Sequence, residues 1–442
     1  MRYKEIFNPK TIAIIGAVDK KESVGRGIIE NLLKSKKELF FVNPFKKKVF
    51  GKKTYKSINE IKSKIDLAII VVPKKAVKSV VEDLAKKGAG GVIIISAGFA
   101  ETGREGKKEE DEIKEILEKA KIPLVGPNCL GVIRPSSRLN ASFAPATPKG
   151  GKIALISQSG ALINSIIDKS LTENYGFSVV ISVGNAAGLD LVDYLKWADE
   201  DKKTEVIALY IEGLKDGRRF FDVLKKTKKS VVILKGGKTE GGKKTVFSHT
   251  GSLAGEKEIF SAAIKQAGAI EVSSIEELFD ISKALAWQNQ FSGGAGLITN
   301  GGGAGVLFTD AYNFDMPKLN KETILFLDKH MHPSYSRTNP LDIVGDALSI
   351  RYEKALEAMI NQENIKGIAI IQTLQIMTDP LKNAKIIIKL KRKTKKPIIT
   401  IFMGGSKKIR EAVNLLEKNK IPNYNDPKRG AIVLKALNKK SI

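Results

Sequence analysis

The chain reads as an α/β protein in three consecutive blocks, and three observations predict this. Short apolar runs alternate with amphipathic stretches along the whole length. Each apolar run of the first block stops at Gly, Pro, Asn or Ser, which marks a parallel sheet whose C-terminal edge carries binding loops. Gly- and Pro-rich breaks then divide residues 1–145, 150–290 and 293–442.

In the first block the strand candidates are TIAIIGA, LFFVNP, DLAIIVVP, GVIIISAGF and IPLVGPN. Between them RGIIENLLKS and AVKSVVEDLAKKG carry apolar residues at helical spacing. APATPKGG links to the second block, which opens KIALISQSGALINSIID and continues SVVISVGN, EVIALYIEG and SVVILKGGK. The third block opens GAGLITNGGGAGVLFTDAY and continues NPLDIVGDA, GIAIIQTLQ and PIITIFMGGSK. Blocks two and three read as a diverged internal repeat. ALISQSGALINSI matches LITNGGGAGVLFT, and VVILKGGK matches ITIFMGGSK.

The 442 residues suit roughly two to four domains. No apolar run approaches the roughly 20 residues of a membrane span, and the start lacks a secretory apolar region. One cysteine, Cys129, rules out an intrachain disulfide, so a cytoplasmic protein is expected. The net charge of +27 reflects 75 Lys+Arg against 48 Asp+Glu. Its lysine runs, such as 46–48 and 389–396, carry no interleaved aromatics, which argues against a nucleic-acid partner. A lysine-rich surface, or a positive field drawing in anionic substrates, accounts for them.

Two loops run from strand into helix with small residues: Ser157–Ala161 and Asn300–Gly305. Free N–H groups at a helix start suit phosphate, although a plain tight turn reads the same way. The first block lacks G-x-G-x-x-G after its first strand, and its second strand ends Val42-Asn43-Pro44 in place of an acidic ribose partner. A Rossmann-like sheet without NAD follows. Coenzyme A, with its 3′-phosphate and diphosphate, fits the lysines of NPFKKK and VPKK.

His249, in FSHTGSLAG, is one of three histidines and sits among small residues after a Gly/Lys-rich stretch. It reads either as a histidine without a role or as a nucleophile that carries a phosphoryl group. The second role needs a carboxylate to fix the tautomer, and Glu212 in LYIEG is the candidate. No metal site is expected; His330 and His332 form at most a weak pair. Cys129 in GPNCLG reads as a residue lining a ligand site in preference to a nucleophile.

These residues together resemble the α subunit of ADP-forming acetyl-CoA synthetase (acetate–CoA ligase, ADP-forming), within the nucleotide-diphosphate-forming acyl-CoA synthetase superfamily that includes succinyl-CoA synthetase. The matching stretches are IAIIGA with SVG, FVNP, VVP, SAGFAETG, GPNCLG, SQSGAL, SVGN, YIEGLKDGRRF, SHTGSLAG, TNGGGAGV and NPLDIVGDA. The first loop, GAVDKKESVG, departs by being charged where many relatives are rich in Pro and Gly.

The resemblance implies a Rossmann-like CoA-binding domain followed by two flavodoxin-like, succinyl-CoA synthetase-like α/β domains. It implies acyl-CoA + ADP + phosphate ⇌ carboxylate + ATP + CoA, through an acyl phosphate and a phosphohistidine at His249, oriented by Glu212. CoA would be met by Gly16, Ser23, Val24, Gly25, Asn43, Pro44, Lys46, Val72, Pro73, Ser96, Ala97, Gly98, Asn128 and Cys129. Phosphate would be met by Ser157, Gln158, Ser159 and Gly160, and by Asn300, Gly301, Gly302 and Gly303. No cofactor is expected to be tightly bound. All three blocks are assigned, so the ATP-grasp nucleotide domain, with its Mg2+, is expected on a separate β subunit in an αβ or α2β2 assembly. A CoA-binding regulatory protein of the same fold is the alternative; the retained His249, Glu212 and both glycine loops favour the enzyme.

Overall fold

The computed structural model describes residues 3–250 and 257–440, the side chains of 246–250 excepted. The chain forms two compact units that divide between Glu271 and Val272.

The first unit holds two sheets. The first is built from β1 (Thr11–Ile15), β2 (Glu38–Val42), β3 (Lys48–Val49), β4 (Lys52–Tyr55), β5 (Leu67–Ile70), β6 (Val92–Ile94) and β7 (Leu124–Val125). Their order is β3-β4-β2-β1-β5-β6-β7, parallel except for the β3–β4 pair. Strand order reverses at β1, and ligands bind outside the carboxyl ends of strands at such a switch. The helix Lys74–Lys87 shows why the intervening stretches fold as they do. Val77, Val81 and Leu84 recur at helical spacing and are buried, Pro73 precedes the first turn, and Gly88 ends it at φ 81°.

The second sheet contains β8 (Gly131–Arg134), β9 (Leu139–Ser142), β10 (Gly150–Ser157), β11 (Phe177–Ser182), β12 (Val206–Ile211), β13 (Ser230–Lys235) and β14 (Ile270–Val272). Its order is β14-β13-β12-β10-β11-β8-β9. The β8–β9 hairpin lies within residues 1–145 of the first sequence block, yet it extends the second sheet through antiparallel pairing of β8 with β11. Every residue of β11 is buried, as expected of a strand covered on both faces. One core runs through both sheets, with Phe7 stacked on Trp197 at 3.8 Å. Arg134 binds Asp201 at 2.7 Å beside the same tryptophan.

The second unit carries β15 (Gly294–Thr299), β16 (Leu341–Asp342), β17 (Ile365–Gln372) and β18 (Ile398–Phe402), in order β16-β15-β17-β18 and parallel throughout. This is the arrangement β11-β10-β12-β13 of the first unit, strand for strand. The helix Ile275–Trp287, inside the second sequence block, belongs to this unit. Its Ser274 N-cap marks the start, and Lys283 pairs with Glu417 at 3.0 Å in the interior.

Candidate functional site

The loops that follow β1, β2, β5 and β6 share the C-terminal edge of the first sheet. Gly16 holds φ 91°, and a Cβ there would lie 2.4 Å from the Val71 carbonyl oxygen, so only glycine fits the turn. Ser23 caps the helix Val24–Leu33, its hydroxyl accepting from the Arg26 N–H at 3.4 Å. Gly25 is in the first turn, packed on Val18 and Gly16. The buried Asn43 amide donates to the Ala17 carbonyl at 2.8 Å and accepts from the Phe45 N–H at 2.9 Å, next to Pro44. Lys46 pairs with Asp19 at 2.5 Å, and this ammonium holds the Asp19 carboxyl below its usual range. The β1 and β2 loops are therefore tied together.

Ser96 donates to the Val72 carbonyl at 2.6 Å, which links the β6 and β5 ends. Asn128 sits at φ 55°, its N–H donating to the Ser96 carbonyl at 3.0 Å and its amide to Asn185 at 3.2 Å. Asn185 donates in turn to Glu101 at 2.6 Å and Glu110 at 2.8 Å. Glu101 receives the Gly98 N–H at 2.6 Å. Cys129 is buried and donates to the Ile94 carbonyl at 3.3 Å. Burial pushes its thiol up to about 12, which removes thiolate chemistry at neutral pH.

On the second sheet the corresponding edge is formed by the ends of β10, β12 and β13. Ser157 is buried, accepting the Ser159 N–H at 3.0 Å and donating to the Ser159 carbonyl at 2.8 Å. Ser159 caps the helix Gly160–Thr172. Between them Gln158 reaches across to β12. Its amide oxygen accepts the N–H groups of Glu212 at 2.5 Å and Gly213 at 3.1 Å, and its NH2 donates to the Gly213 carbonyl at 2.9 Å. Glu212 is 7% exposed. Lys235, at the end of β13, donates to the Glu212 carbonyl at 2.7 Å; burial depresses this ammonium and Glu212 opposes the shift. Burial, followed by the Glu212 charge and hydrogen bond, pushes Tyr210 up to about 12. Residue 249 is in the last turn of the helix Glu240–Thr250, which follows β13, and the His249 side chain lies outside the described residues.

A cavity of about 1290 Å³ opens between these two edges within the first unit. Of the sequence-predicted residues, Val24, Val72, Pro73, Ser96, Ala97, Asn128, Cys129, Gln158, Ser159 and Gly160 line it. Gly16, Ser23, Gly25, Asn43, Pro44, Lys46, Gly98, Ser157 and Glu212 do not. Sequence reasoning missed Arg104, Lys107 and Lys215, which together with Lys74 of VPKK make one part of the lining basic, and the buried Glu110. Lys215 donates to the Ala186 carbonyl at 2.7 Å, and burial lowers its ammonium against the pull of Glu110. It also missed the apolar wall made by Leu130 and Phe143. The signal for the cations was available, since each stands at or just after a helix start or strand end.

In the second unit Thr299 repeats the bonds of Ser157, accepting from and donating to the backbone of Gly301, both at 3.0 Å. Asn300 repeats Gln158: it donates to the Thr373 carbonyl at 3.0 Å and accepts the Thr373 N–H at 2.7 Å. Gly301 then caps the helix Gly302–Tyr312, of which Gly303 is the exposed second residue. Thr373 thus stands where the first unit has Glu212. His330 packs against Phe326 at 4.8 Å, and His332 accepts the Ser334 N–H at 3.2 Å. Among the described residues no group of three His, Cys, Asp or Glu could hold a metal ion. No described helix is long and apolar enough to cross a membrane.

Comparison with known proteins extends these observations. Residues 10–135 match a CoA binding domain, and residues 150–285 match the succinyl-CoA ligase like flavodoxin domain. The chain is 40% identical to "acetate–CoA ligase [ADP-forming] II subunit alpha" of Pyrococcus furiosus, over 98% of this chain and 96% of that one. It is 43% identical to "acetate–CoA ligase [ADP-forming]" of Methanocaldococcus jannaschii, over 99% of this chain but only 63% of that longer one. It likewise spans 64% of a 39% identical Archaeoglobus fulgidus ligase. Among solved structures, "dinucleotide forming acetyl-coenzyme A synthetase 1 in complex with phosphate and ADP" of Ca. Korarchaeum cryptofilum superposes with a TM-score of 0.93 at 34% identity, covering 98% of this chain and 96% of that one.

Proposed function

The chain belongs to the ADP-forming acetate–CoA ligase family, and from that premise we propose that it is the α subunit of an ADP-forming acyl-CoA synthetase. The observation that carries this reading is the cavity that the edges of both sheets of the first unit line together. Its volume exceeds the roughly 300–1,000 Å³ usual for a small ligand and suits a long substrate such as an acyl-CoA.

CoA lies along the first sheet's edge, its diphosphate drawn toward the cations around Lys74, Arg104 and Lys107. The thioester reaches the helix start at Ser159-Gly160, whose N–H groups hold inorganic phosphate. Phosphate oxygen attacks the acyl carbon, the C–S bond breaks, and the acyl phosphate forms as CoA leaves as thiolate. The His249 imidazole nitrogen then attacks phosphorus, the P–O bond to the acyl group breaks, and carboxylate departs. Glu212 holds the other ring nitrogen and stabilises the positive ring as it forms. The phosphoryl group passes to ADP on a separate ATP-grasp β subunit, in an αβ or α2β2 assembly, where Mg2+ accompanies the nucleotide. The P. furiosus relative, matched over 96% of its length, is named a subunit alpha, which supports a partner subunit.

The test is acid-labile, base-stable phosphate on this chain after incubation with acetyl-CoA and radiolabelled phosphate. Label mapped to His249, and absent from His249→Ala, is expected. Full labelling of His249→Ala would refute the phosphohistidine route.

A further inference from the structure

Phe143 is 36% exposed although the backbone on both sides of it is tied to a neighbouring helix. The buried Asn31 side chain, on the helix Val24–Leu33, donates to the Ser142 carbonyl at 3.0 Å and to the Ala144 carbonyl at 2.9 Å. These are the carbonyls of the two residues that flank Phe143. The Ser142 hydroxyl adds a third tie, accepting the Ala144 N–H at 3.2 Å. These bonds tether the backbone on both sides of the ring, and Phe143 lines the cavity.

Its place in that cavity follows from the hairpin register. Gly131 pairs with Ser142 in the antiparallel β8–β9 ladder, so Leu130 and Phe143 are opposite each other one step beyond its end. Facing residues at that spacing have Cβ atoms about 4.5–5.5 Å apart. On its other side Leu130 abuts the helix start: its Cβ lies 3.3 Å from where a Cβ on Gly160 would stand. Phe143 Cβ is also 3.7 Å from the equivalent point on Gly27. The sequence of neighbours is thus Gly160, Leu130, Phe143, Gly27, with Ala161 and Asn164 along the same helix lining the cavity. This is a largely apolar wall that begins at the phosphate-sized helix start and ends at a ring whose backbone is tethered. None of its members is charged.

We propose that Phe143 and Leu130 form the wall against which the acyl group packs, and that Phe143 sets the upper size of the acyl group. This selects short, uncharged acyl chains. The proposal rests on the acyl-CoA reading of the cavity. A thioester carbonyl placed at the Gly160 helix start has its acyl substituent directed along this wall, while the CoA arm leaves toward the loops after β1, β5 and β6. Apolar pockets discriminate by bulk, at about 10–200-fold per methylene.

The experiment is calorimetric titration of the full chain with CoA, acetyl-CoA, isobutyryl-CoA and phenylacetyl-CoA, for the unaltered protein, Phe143→Ala and Phe143→Trp. Phe143→Ala is expected to improve binding of phenylacetyl-CoA relative to acetyl-CoA by about tenfold or more, with the affinity for CoA itself unchanged. Phe143→Trp, which keeps an aromatic ring in the same frame, is expected to shift the ratio the other way for isobutyryl-CoA. Unchanged ratios in both variants would overturn the proposal. So would weakened binding of CoA itself at constant ratios, because the ring would then lie along the CoA arm. Absence of CoA binding to the unaltered chain would refute the underlying acyl-CoA reading instead.

Discussion

The side-chain oxygen of Gln158 accepts the backbone N–H of Glu212 at 2.5 Å, across the gap between the ends of β10 and β12. One amide thereby fixes the helix start at Ser159 relative to the carboxylate expected to orient His249. Replacing Gln158 with Leu leaves the N–H groups of Glu212 and Gly213 without their acceptor. The expected result is a stability loss of about 1–3 kcal/mol, read by chemical denaturation, and slower phosphorylation of the chain. Gln158→Glu keeps the acceptor and is expected to recover more of the stability than Gln158→Leu does. Equal losses in both would show that the acceptor is not what matters.

Glu212→Gln tests orientation separately from charge. The backbone bonds from Glu212 to Gln158 and Lys235 do not involve the carboxylate, so the fold is expected to remain intact. Loss of the carboxylate should slow transfer from acyl phosphate to His249 by roughly 10²-fold or more. A rapid-quench time course of acid-labile label measures this. An unchanged rate would remove Glu212 from the proposed mechanism.

The Cys129 thiol, raised to about 12 by burial against an ordinary value of 9.0, gives a pH prediction. At pH 8 only ~10⁻⁴ of folded chains carry the thiolate, so a disulfide reagent is expected to react only as fast as the protein opens. The unfolded chain gives up this proton near pH 9 and the folded chain does not. The contribution to stability is therefore fully present below pH 9 and declines as pH rises from 9 toward 12. Rapid labelling of native protein at pH 8 would contradict the buried position.

Much of this architecture is written in local sequence. The apolar runs at β10, β12 and β13, and again at β15, β17 and β18, are largely buried strands, and their shared spacing already reveals the repeat. The equivalence extends to SQS and TNG, whose hydroxyls make the same bonds in both units and whose amides both brace the neighbouring strand end, Gln158 on the Gly213 carbonyl and Asn300 on the Thr373 carbonyl. What the sequence conceals depends on partners distant along the chain. The segment GVIRPSSRLNAS has no long apolar run, and it becomes a hairpin because β11 offers β8 an edge. Asn43 looks like a ligand residue by its position, but its amide is spent holding Ala17 and Phe45. Phe143 is an unremarked aromatic until Asn31, from a different helix, clamps both carbonyls beside it.

In the second unit, Lys283 and Glu417 are 2% and 5% exposed and meet at 3.0 Å, between the helices Ile275–Trp287 and Lys407–Lys418. The ammonium also lies 5.1 Å from the Tyr424 ring and 5.9 Å from the Trp287 ring. Removing one member of such a pair leaves an uncompensated charge in the interior, whereas replacing both by apolar groups is often close to neutral. Lys283→Met is therefore expected to lower stability by about 3–5 kcal/mol, and Lys283→Met with Glu417→Leu to recover most of that. Urea denaturation followed by fluorescence, with Trp287 beside the pair as reporter, measures both. If the double variant is no more stable than the single one, the cost comes from lost packing of the lysine stem against the two rings and not from the stranded carboxylate.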